Sequence, residues 1–332
     1  MSARVCSSAE VLSARRIAEE KMNAVHVPVM MNEVLRALEL RRGDVVVDGT
    51  LGLAGHSLRF LKEIGPEGTL VGFDWDETML AQARERLAAE DGLGRVELVH
   101  ADFREIGSVL DGLGLYANGM LLDLGLNSAQ IEDPERGIAF KFEGPLDMRM
   151  DRSRGEPASA LLNRLSPVEI ERILFELGDE RWAKAIAKKI VEVRRATPLR
   201  TTTDLVNAIL AAVPTGARDK RIHPATRSFQ AIRVYVNREL EGLDDALRGA
   251  AERLAPGGTL VVLSYQSGED RIAKTVFREL AEEGFEDLYR KPLVPTAQET
   301  TMNPRSRSAK LRAIRRAKPA ETGLAVDGQE ET

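Results

Sequence analysis

The run Val45-Val46-Val47, closed by Asp48 and followed by Gly49-Thr-Leu-Gly52-Leu-Ala-Gly55-His56, restricts the fold of this chain more than any other stretch. Consecutive β-branched residues read as a buried strand, and the glycines just behind them read as a tight turn into a helix. That order opens a βαβ unit, in which the first turn lets backbone-sized groups of a ligand press close. The spacing departs from the dinucleotide fingerprint G-x-G-x-x-G, because the glycines fall at 49, 52 and 55 with Ala54 before the last. By itself the loop leaves two readings open: a nucleotide-type ligand, or a plain strand-to-helix turn.

The pattern continues in the same sense. Strands are predicted at 45–48, 70–74, 96–100 and 120–124, with a helix at 77–89, which is the alternation of a parallel α/β sheet. A fifth strand, 259–264, comes only after a long interval and follows the turn Ala255-Pro256-Gly257-Gly258. The interval, 134–238, is expected to be helical throughout. Ser166-Pro167-Val168-Glu169 supplies an N-cap, a proline at the first helical position and a reciprocating glutamate. Ile170, Ile173, Leu174 and Leu177 then recur at helical spacing, as do Trp182, Ile186, Ile190 and Val193 across a helix at 180–195. The expected organisation is an ill-ordered extension at 1–23 and a discontinuous sheet domain at 24–133 and 239–300. A helical substrate-recognition insertion fills 134–238, and a basic then acidic tail follows at 301–332. An insertion of this kind sits near the carboxyl ends of the strands, where α/β folds bind ligands.

With 43% hydrophobic and 30% charged residues and no apolar run near the roughly 20 residues of a membrane helix, the chain reads as globular and not membrane-embedded. A lone cysteine, Cys6, excludes a disulfide framework and fits a reducing, cytoplasmic location. The net charge of −5 argues against unspecific coating of nucleic acid. It hides a basic segment, however: Arg305, Arg307, Lys310, Arg312, Arg315, Arg316 and Lys318 follow one another without an acid. That segment is a candidate phosphate contact, or else a solvated tail.

Asp74, at the end of the second strand and about 20 residues past the loop, is placed to accept hydrogen bonds from both hydroxyls of a ribose. Asp76 reads instead as the cap of the next helix. Asp102 and Phe103 would flank an adenine, the first by hydrogen bonding and the second by stacking, although Phe103 also reads as core. The fourth strand runs into Asp123, Asn127, Ser128 and Gln130, a polar cluster at the crevice with no strong nucleophile. His26, His56, His100 and His223 lack metal-ligand spacing, so neither zinc nor covalent catalysis is expected. No P-loop is present. A nucleoside cleft with only hydrogen-bonding groups suits group transfer by positioning, and methyl transfer from S-adenosylmethionine (AdoMet) fits best.

Several motifs together resemble one family, the bacterial 16S rRNA cytosine-N4 methyltransferases (MraW or RsmH). They are His26-Val-Pro-Val-Met, Asp48 to Ser57, Gly72-Phe-Asp74, Leu122-Asp-Leu-Gly125, Arg136-Gly137 and Gly144-Pro-Leu-Asp-Met-Arg-Met-Asp151. Later come His223-Pro-Ala-Thr-Arg-Ser-Phe-Gln-Ala231, Val236-Asn-Arg-Glu-Leu240, Ala255-Pro-Gly-Gly258, Glu269-Asp-Arg271 and Asn303-Pro-Arg-Ser-Arg-Ser308. The resemblance covers about 24–316. It implies an α/β fold, a Rossmann-like AdoMet-dependent methyltransferase sheet with an inserted all-helical subdomain. It also implies AdoMet as donor and a decoding-region cytidine of 16S rRNA, in the small ribosomal subunit, as acceptor. By motif, the AdoMet contacts are carried onto Ala54, Gly55, His56, Asp74, Phe103, Asp123 and Gln130.

Three departures stand out: Ala54 where the family commonly has glycine, Asn127 for serine, and Tyr265-Gln266-Ser267-Gly268 for Phe-His-Ser-Leu. The first sets a methyl beside the donor, and the others lie nearer the acceptor. Cytosine N4 is a poor nucleophile, so catalysis is expected from Asn127 or Asp123 accepting its N–H protons. RNA contacts are expected from His223, Arg227, Gln230, Arg233 and Asn237, whose mixed spacings of three and four put them near one helix face, and from Arg149 and Arg152. Arg305 and Arg307 of the basic segment complete the set. Two alternatives remain: a non-catalytic AdoMet-binding RNA-binding or ribosome-assembly protein, and a methyltransferase acting on DNA or protein. The missing Asp/Asn-Pro-Pro-Tyr motif counts against DNA. Self-association into a homodimer is left open.

Overall fold

A computed structural model describes residues 28–126, 131–218 and 222–318. The expectations for the extension at 1–23, with Cys6, for His26 and for the acidic end at 319–332 lie outside those residues, as do Asn127, Ser128 and Gln130.

Seven strands make one sheet: β1 Val45–Asp48, β2 Thr69–Asp74, β3 Arg95–His100, β4 Ala117–Asp123, β5 Leu254–Ser264, β6 Phe285–Asp287 and β7 Lys310–Arg316. Their order is β3-β2-β1-β4-β5-β7-β6. β1 to β5 are parallel and β7 is antiparallel to both neighbours. Alternate residues of the central strands feed two apolar layers. Val46, Leu70, Leu121 and Val261 face one, with Phe60 and Leu61 of a helix at Gly55–Ile64. Val47, Val71, Leu122 and Val262 face the other. Burial on both faces explains the continuous apolar runs. Strand order reverses between β1 and β4, so the carboxyl ends of these two strands frame the crevice where α/β sheets bind ligands.

In chain order the helices are α1 Met31–Leu38, α2 Gly55–Ile64, α3 Glu77–Ala88, α4 Ile106–Leu113, α5 Ala158–Arg164, α6 Pro167–Gly178, α7 Ala183–Ala196, α8 Thr202–Ala212, α9 Thr226–Asn237, α10 Leu243–Glu252, α11 Ser267–Glu282 and α12 Ala297–Met302. None among the described residues is long and apolar enough to cross a membrane. α5 to α9 lie between β4 and β5 and share a third core that includes Leu162, Ile170, Ile173, Ile186, Ile190, Leu205, Ile209 and Phe229. α6 begins as its sequence requires: Ser166 accepts the Glu169 amide at 3.3 Å, while Glu169 takes the Ser166 amide at 2.7 Å. Asp76 caps α3 by accepting the Thr78 amide at 3.0 Å.

Two expectations need correction. The interval 134–238 is not helical throughout, since 137–157 forms irregular turns. Gly137 there takes φ 62°, and a Cβ on it would overlap the Pro145 carbonyl. These turns are held by distant groups: the Asn237 amide donates to Met148 O at 2.9 Å, and its oxygen accepts the Met150 amide at 2.8 Å. Nor is 301–332 wholly a tail, because β7 is an interior strand between β5 and β6. Leu311, Ala313 and Ile314 are buried, and so is Arg312, whose Nε donates to Asp270 at 2.7 Å. Lys310 reaches the same carboxylate at 2.8 Å, while Arg315 donates to Thr259 and Arg316 to the carbonyls of Glu252 and Leu254. Much of the basic segment therefore anchors α11 and the sheet rather than facing phosphate.

Candidate active site

The loop after β1 is built from the strand outward. Asp48 is 1% exposed and accepts Ser57 Oγ at 2.6 Å and the Thr50 amide at 3.2 Å, which ties the start of α2 to the strand. Burial raises its pKa and the Ser57 hydrogen bond works against that rise. Gly49 passes so close to Leu122 that a side chain would overlap it. Gly52, at φ 50°, turns its amide onto Asp74 Oδ2 at 2.8 Å. Asp74 ends β2, accepts the Asp76 amide on its other oxygen at 2.9 Å, and is pushed up to about 6, mainly by burial.

Around these residues lies a cleft at the β1/β4 switch point, where α/β sheets bind ligands. Gly49, Gly52, Asp74, Phe103, Asp123 and Glu269 are among its walls. A second chamber of about 1180 Å³, walled by Phe140, Phe229, Gln230, Arg233, Tyr265 and Arg305 among others, opens between the sheet and the helical insertion. The two share Asp123, Leu124 and Gly125. A group held in one is separated from a group held in the other by a single turn of chain.

The comparisons with known proteins agree with this geometry. The model of the MraW methylase family matches residues 23–317, nearly the whole described chain. The chain belongs to the MraW methylase family. Relatives called ribosomal RNA small subunit methyltransferase H include one from Geobacter sp. (strain M21), 44% identical over 306 residues, covering 87% of this chain and 97% of that protein. One from Geotalea uraniireducens (strain Rf4) is 45% identical over 305 residues, with the same coverage. One from Heliobacterium mobile is 43% identical over 309 residues, covering 88% and 98%.

As an MraW methylase, the chain is an AdoMet-dependent methyltransferase, and the expected Rossmann-like sheet is present. The first cleft suits that donor. Asp74 lines it where the sequence expects a ribose contact, and Trp75 and Phe103 supply flat walls. Arg104 lines the same cleft with a shielded Nε that has no hydrogen-bond partner among the described residues. The ribose contact expected of Asp74 from the sequence needs its ionised form as acceptor. AdoMet affinity is therefore expected to tighten as pH rises through about 6 and to flatten in Asp74→Asn, measured by calorimetric titration. The stability sign is opposite: a raised carboxylate pKa favours the folded state at low pH, and that contribution is lost between about 3.8 and about 6.

The other residues inferred from sequence divide in the MraW fold. Ala54 is wholly buried, packs into the core beside α1 and α2, and is not among the residues lining these cavities. Its φ of 57° costs an L-residue about 1 kcal/mol, and burying its methyl returns about as much. Ala54→Gly is thus expected to change AdoMet affinity less than about twofold and unfolding free energy by less than about 1 kcal/mol, in titration and urea unfolding. A tenfold tighter complex would show that the methyl does reach the cleft.

Gly55 and His56 line a recess that continues the first cleft past Thr50 and Gly52. The His56 ring is buried, with Nε2 3.1 Å from Val29 O. Asp102 caps a short turn at Phe103–Glu105 and pairs with Arg104 at 2.7 Å, so its carboxylate is already engaged. Of the expected RNA residues, Gln230, Arg233 and Arg305 line the second chamber. His223 precedes α9 and stacks on Phe140 with centroids 4.6 Å apart, and Arg227 donates to Asp179 O. Asn237 pins the 148–150 turn, and Arg149 is bound in a fork by Asp147 at 2.8 and 2.9 Å. Arg152 is half exposed and donates to Glu135 O, and Arg307 is exposed.

Sequence reasoning quoted Glu239 and Glu269 within family motifs and Tyr265 as a departure nearer the acceptor, but assigned none of them to the site; Glu239 and Glu269 line the first cleft and Tyr265 the second chamber. Glu269 is 2% exposed, accepts the Tyr265 and Gln266 amides at 2.9 and 3.2 Å, and is pushed up to about 7, mainly by burial. In sequence it stands out only as part of the motif Glu269-Asp-Arg271. Glu239 pairs with Arg233 through two contacts of 2.8 Å, six residues apart, a separation with no helical signature.

Proposed function

We propose that this chain transfers the methyl group of AdoMet to the exocyclic N4 of a cytidine in the decoding region of 16S rRNA, within the small ribosomal subunit. The observation that carries the reading is the pair of chambers meeting at Asp123, Leu124 and Gly125, in a chain whose relatives are called rRNA small subunit methyltransferases. Bound AdoMet brings a methyl already activated by its sulfonium, so the protein's task is alignment.

Asp123 projects where the chambers meet, and accepting an N–H from the cytosine amine keeps the nitrogen lone pair free and takes up developing positive charge. Asn127 is the other proposed acceptor. The base must first leave its stack, at a cost of a few kcal/mol. Phe140 and Phe229 offer aromatic walls in the receiving chamber, and Gln230 and Arg305 offer polar contacts at its edge. Arg149 and Asn237 act through the shape of the loop they hold, which leaves Arg227, Arg305, Arg307 and Arg152 as the better-exposed phosphate contacts.

Tritiated AdoMet is expected to label small subunits from cells lacking this enzyme, with the label recovered as N4-methylcytidine after digestion. No transfer to such subunits would overturn the reading. Small subunits also place the reaction in the cytoplasm. Self-association is read directly by sedimentation equilibrium against the 36.5 kDa mass of one chain.

A further inference from the structure

We propose that Gln230 reads the N3–N4 edge of the target cytosine in the second chamber, and that Gln266 is a positioning residue that turns the Gln230 carboxamide the way cytosine requires. The proposal rests on the methyl-transfer reading and adds to it a basis for choosing the base. Both side chains line the second chamber. Arg233 clasps the Glu239 carboxylate through two contacts of 2.8 Å, so Glu239 offers only acceptors to its other neighbours. Gln266 Nε2 faces that carboxylate at 3.5 Å, and its Oε1 therefore points the other way, where it accepts Gln230 Nε2 at 2.9 Å. The Gln266 backbone amide is held in turn by Glu269 at 3.2 Å. Each link sets the next, because a carboxylate can only accept while a carboxamide has one end of each kind.

One N–H of Gln230 is spent on Gln266. Its Oε1 and its remaining N–H have no partner among the described residues and belong to the wall of the chamber. An oxygen acceptor beside an N–H donor matches cytosine, whose N4 amine donates next to the N3 acceptor. Uracil presents the reverse, an O4 acceptor next to an N3–H donor. A free carboxamide meets either base by turning through half a circle. Turned here, Gln230 would set its oxygen against the Gln266 oxygen, and turning Gln266 as well would set that oxygen against Glu239. Accepting uracil thus costs one hydrogen bond and brings two acceptors together, which corresponds to about tenfold in affinity. Accepting one N4 hydrogen at Gln230 leaves the other for Asp123, where the two chambers meet. Histidine, which the family usually carries at 266, has one donor and one acceptor nitrogen when neutral, so it completes the same chain.

The test is competition by cytidine and by uridine against single-turnover transfer to small subunits at saturating AdoMet, in the unmodified chain and in Gln230→Leu, Gln266→Leu and Gln266→His. Cytidine is expected to compete about tenfold better than uridine with the unmodified chain and with Gln266→His. In the two leucine variants the ratio is expected to fall to about twofold or less, while the AdoMet dissociation constant stays within about twofold of that of the unmodified chain. A merely structural role for Gln266 would lower transfer and leave the ratio unchanged. Equal competition by the two nucleosides with the unmodified chain, no competition by either, an undiminished ratio in either leucine variant, or loss of the ratio in Gln266→His overturns the proposal. Absence of transfer by the unmodified chain instead overturns the reading beneath it, and this inference falls with that reading.

Discussion

Asp123→Ala is expected to lower the single-turnover rate of methyl transfer by about 10²- to 10³-fold at saturating AdoMet, the effect typical of removing one preorganised group that meets developing charge. Asp123 earns this prediction by its place, since it alone of the carboxylates described lines both chambers. Its backbone is set by the register of β4 on β5 and by the Thr50 hydroxyl 2.7 Å from its amide nitrogen. Asp123→Asn retains an acceptor oxygen and should lose less. The competing role, a contact to the donor alone, predicts a different split: a weaker AdoMet complex with an unchanged rate once AdoMet is saturating. Separate measurement of AdoMet affinity and single-turnover rate decides between them.

Arg136→Ala is expected to destabilise the fold by about 3–5 kcal/mol in urea unfolding, the largest stability effect of a single change considered for this chain. Arg136 is 9% exposed and Asp76 is 5% exposed, and they pair at 2.6 Å. The same guanidinium donates to Met150 O at 3.0 Å, so it ties the 134–151 turns to the cap of α3. Removing it takes the guanidinium away from a buried carboxylate and from the Met150 carbonyl, and Arg136→Lys should recover only part, because an ammonium cannot span both acceptors with the same geometry. A loss below about 1 kcal/mol would mean that water replaces the guanidinium at little cost.

Where local pattern and tertiary environment agree, the residues were readable. The β1 run, the glycine turn, Asp74 at the end of β2 and the Ser166 capping box are each stated within a few positions of sequence, because strand period, turn chemistry and caps are local. Asp76 as a cap is another such case. The basic segment misled because its charges were counted without their partners. Arg312 and Asp270 lie 42 residues apart, and nothing local announces that the alternation from Lys310 to Ile314 belongs to an interior strand. Likewise, the spacing on α9 marked Gln230, Arg233 and Asn237 as neighbours but not what each one meets. One lies against Gln266, one is clamped by Glu239, and one staples the turn at 148–150.

By itself, then, the sequence determined the alternation that makes a parallel sheet, the site of its ligand turn and the family to which the chain belongs, since these depend on local periodicity and on ordered motifs. Tertiary structure alone decided that Ala54 packs in the core, that the ring of Tyr265 lies across Gly125, and that Glu239 and Glu269 line the same cleft as Asp74. Each of these is a contact between segments far apart in the chain. Such contacts follow from the register and packing of whole elements, which no short window of residues encodes.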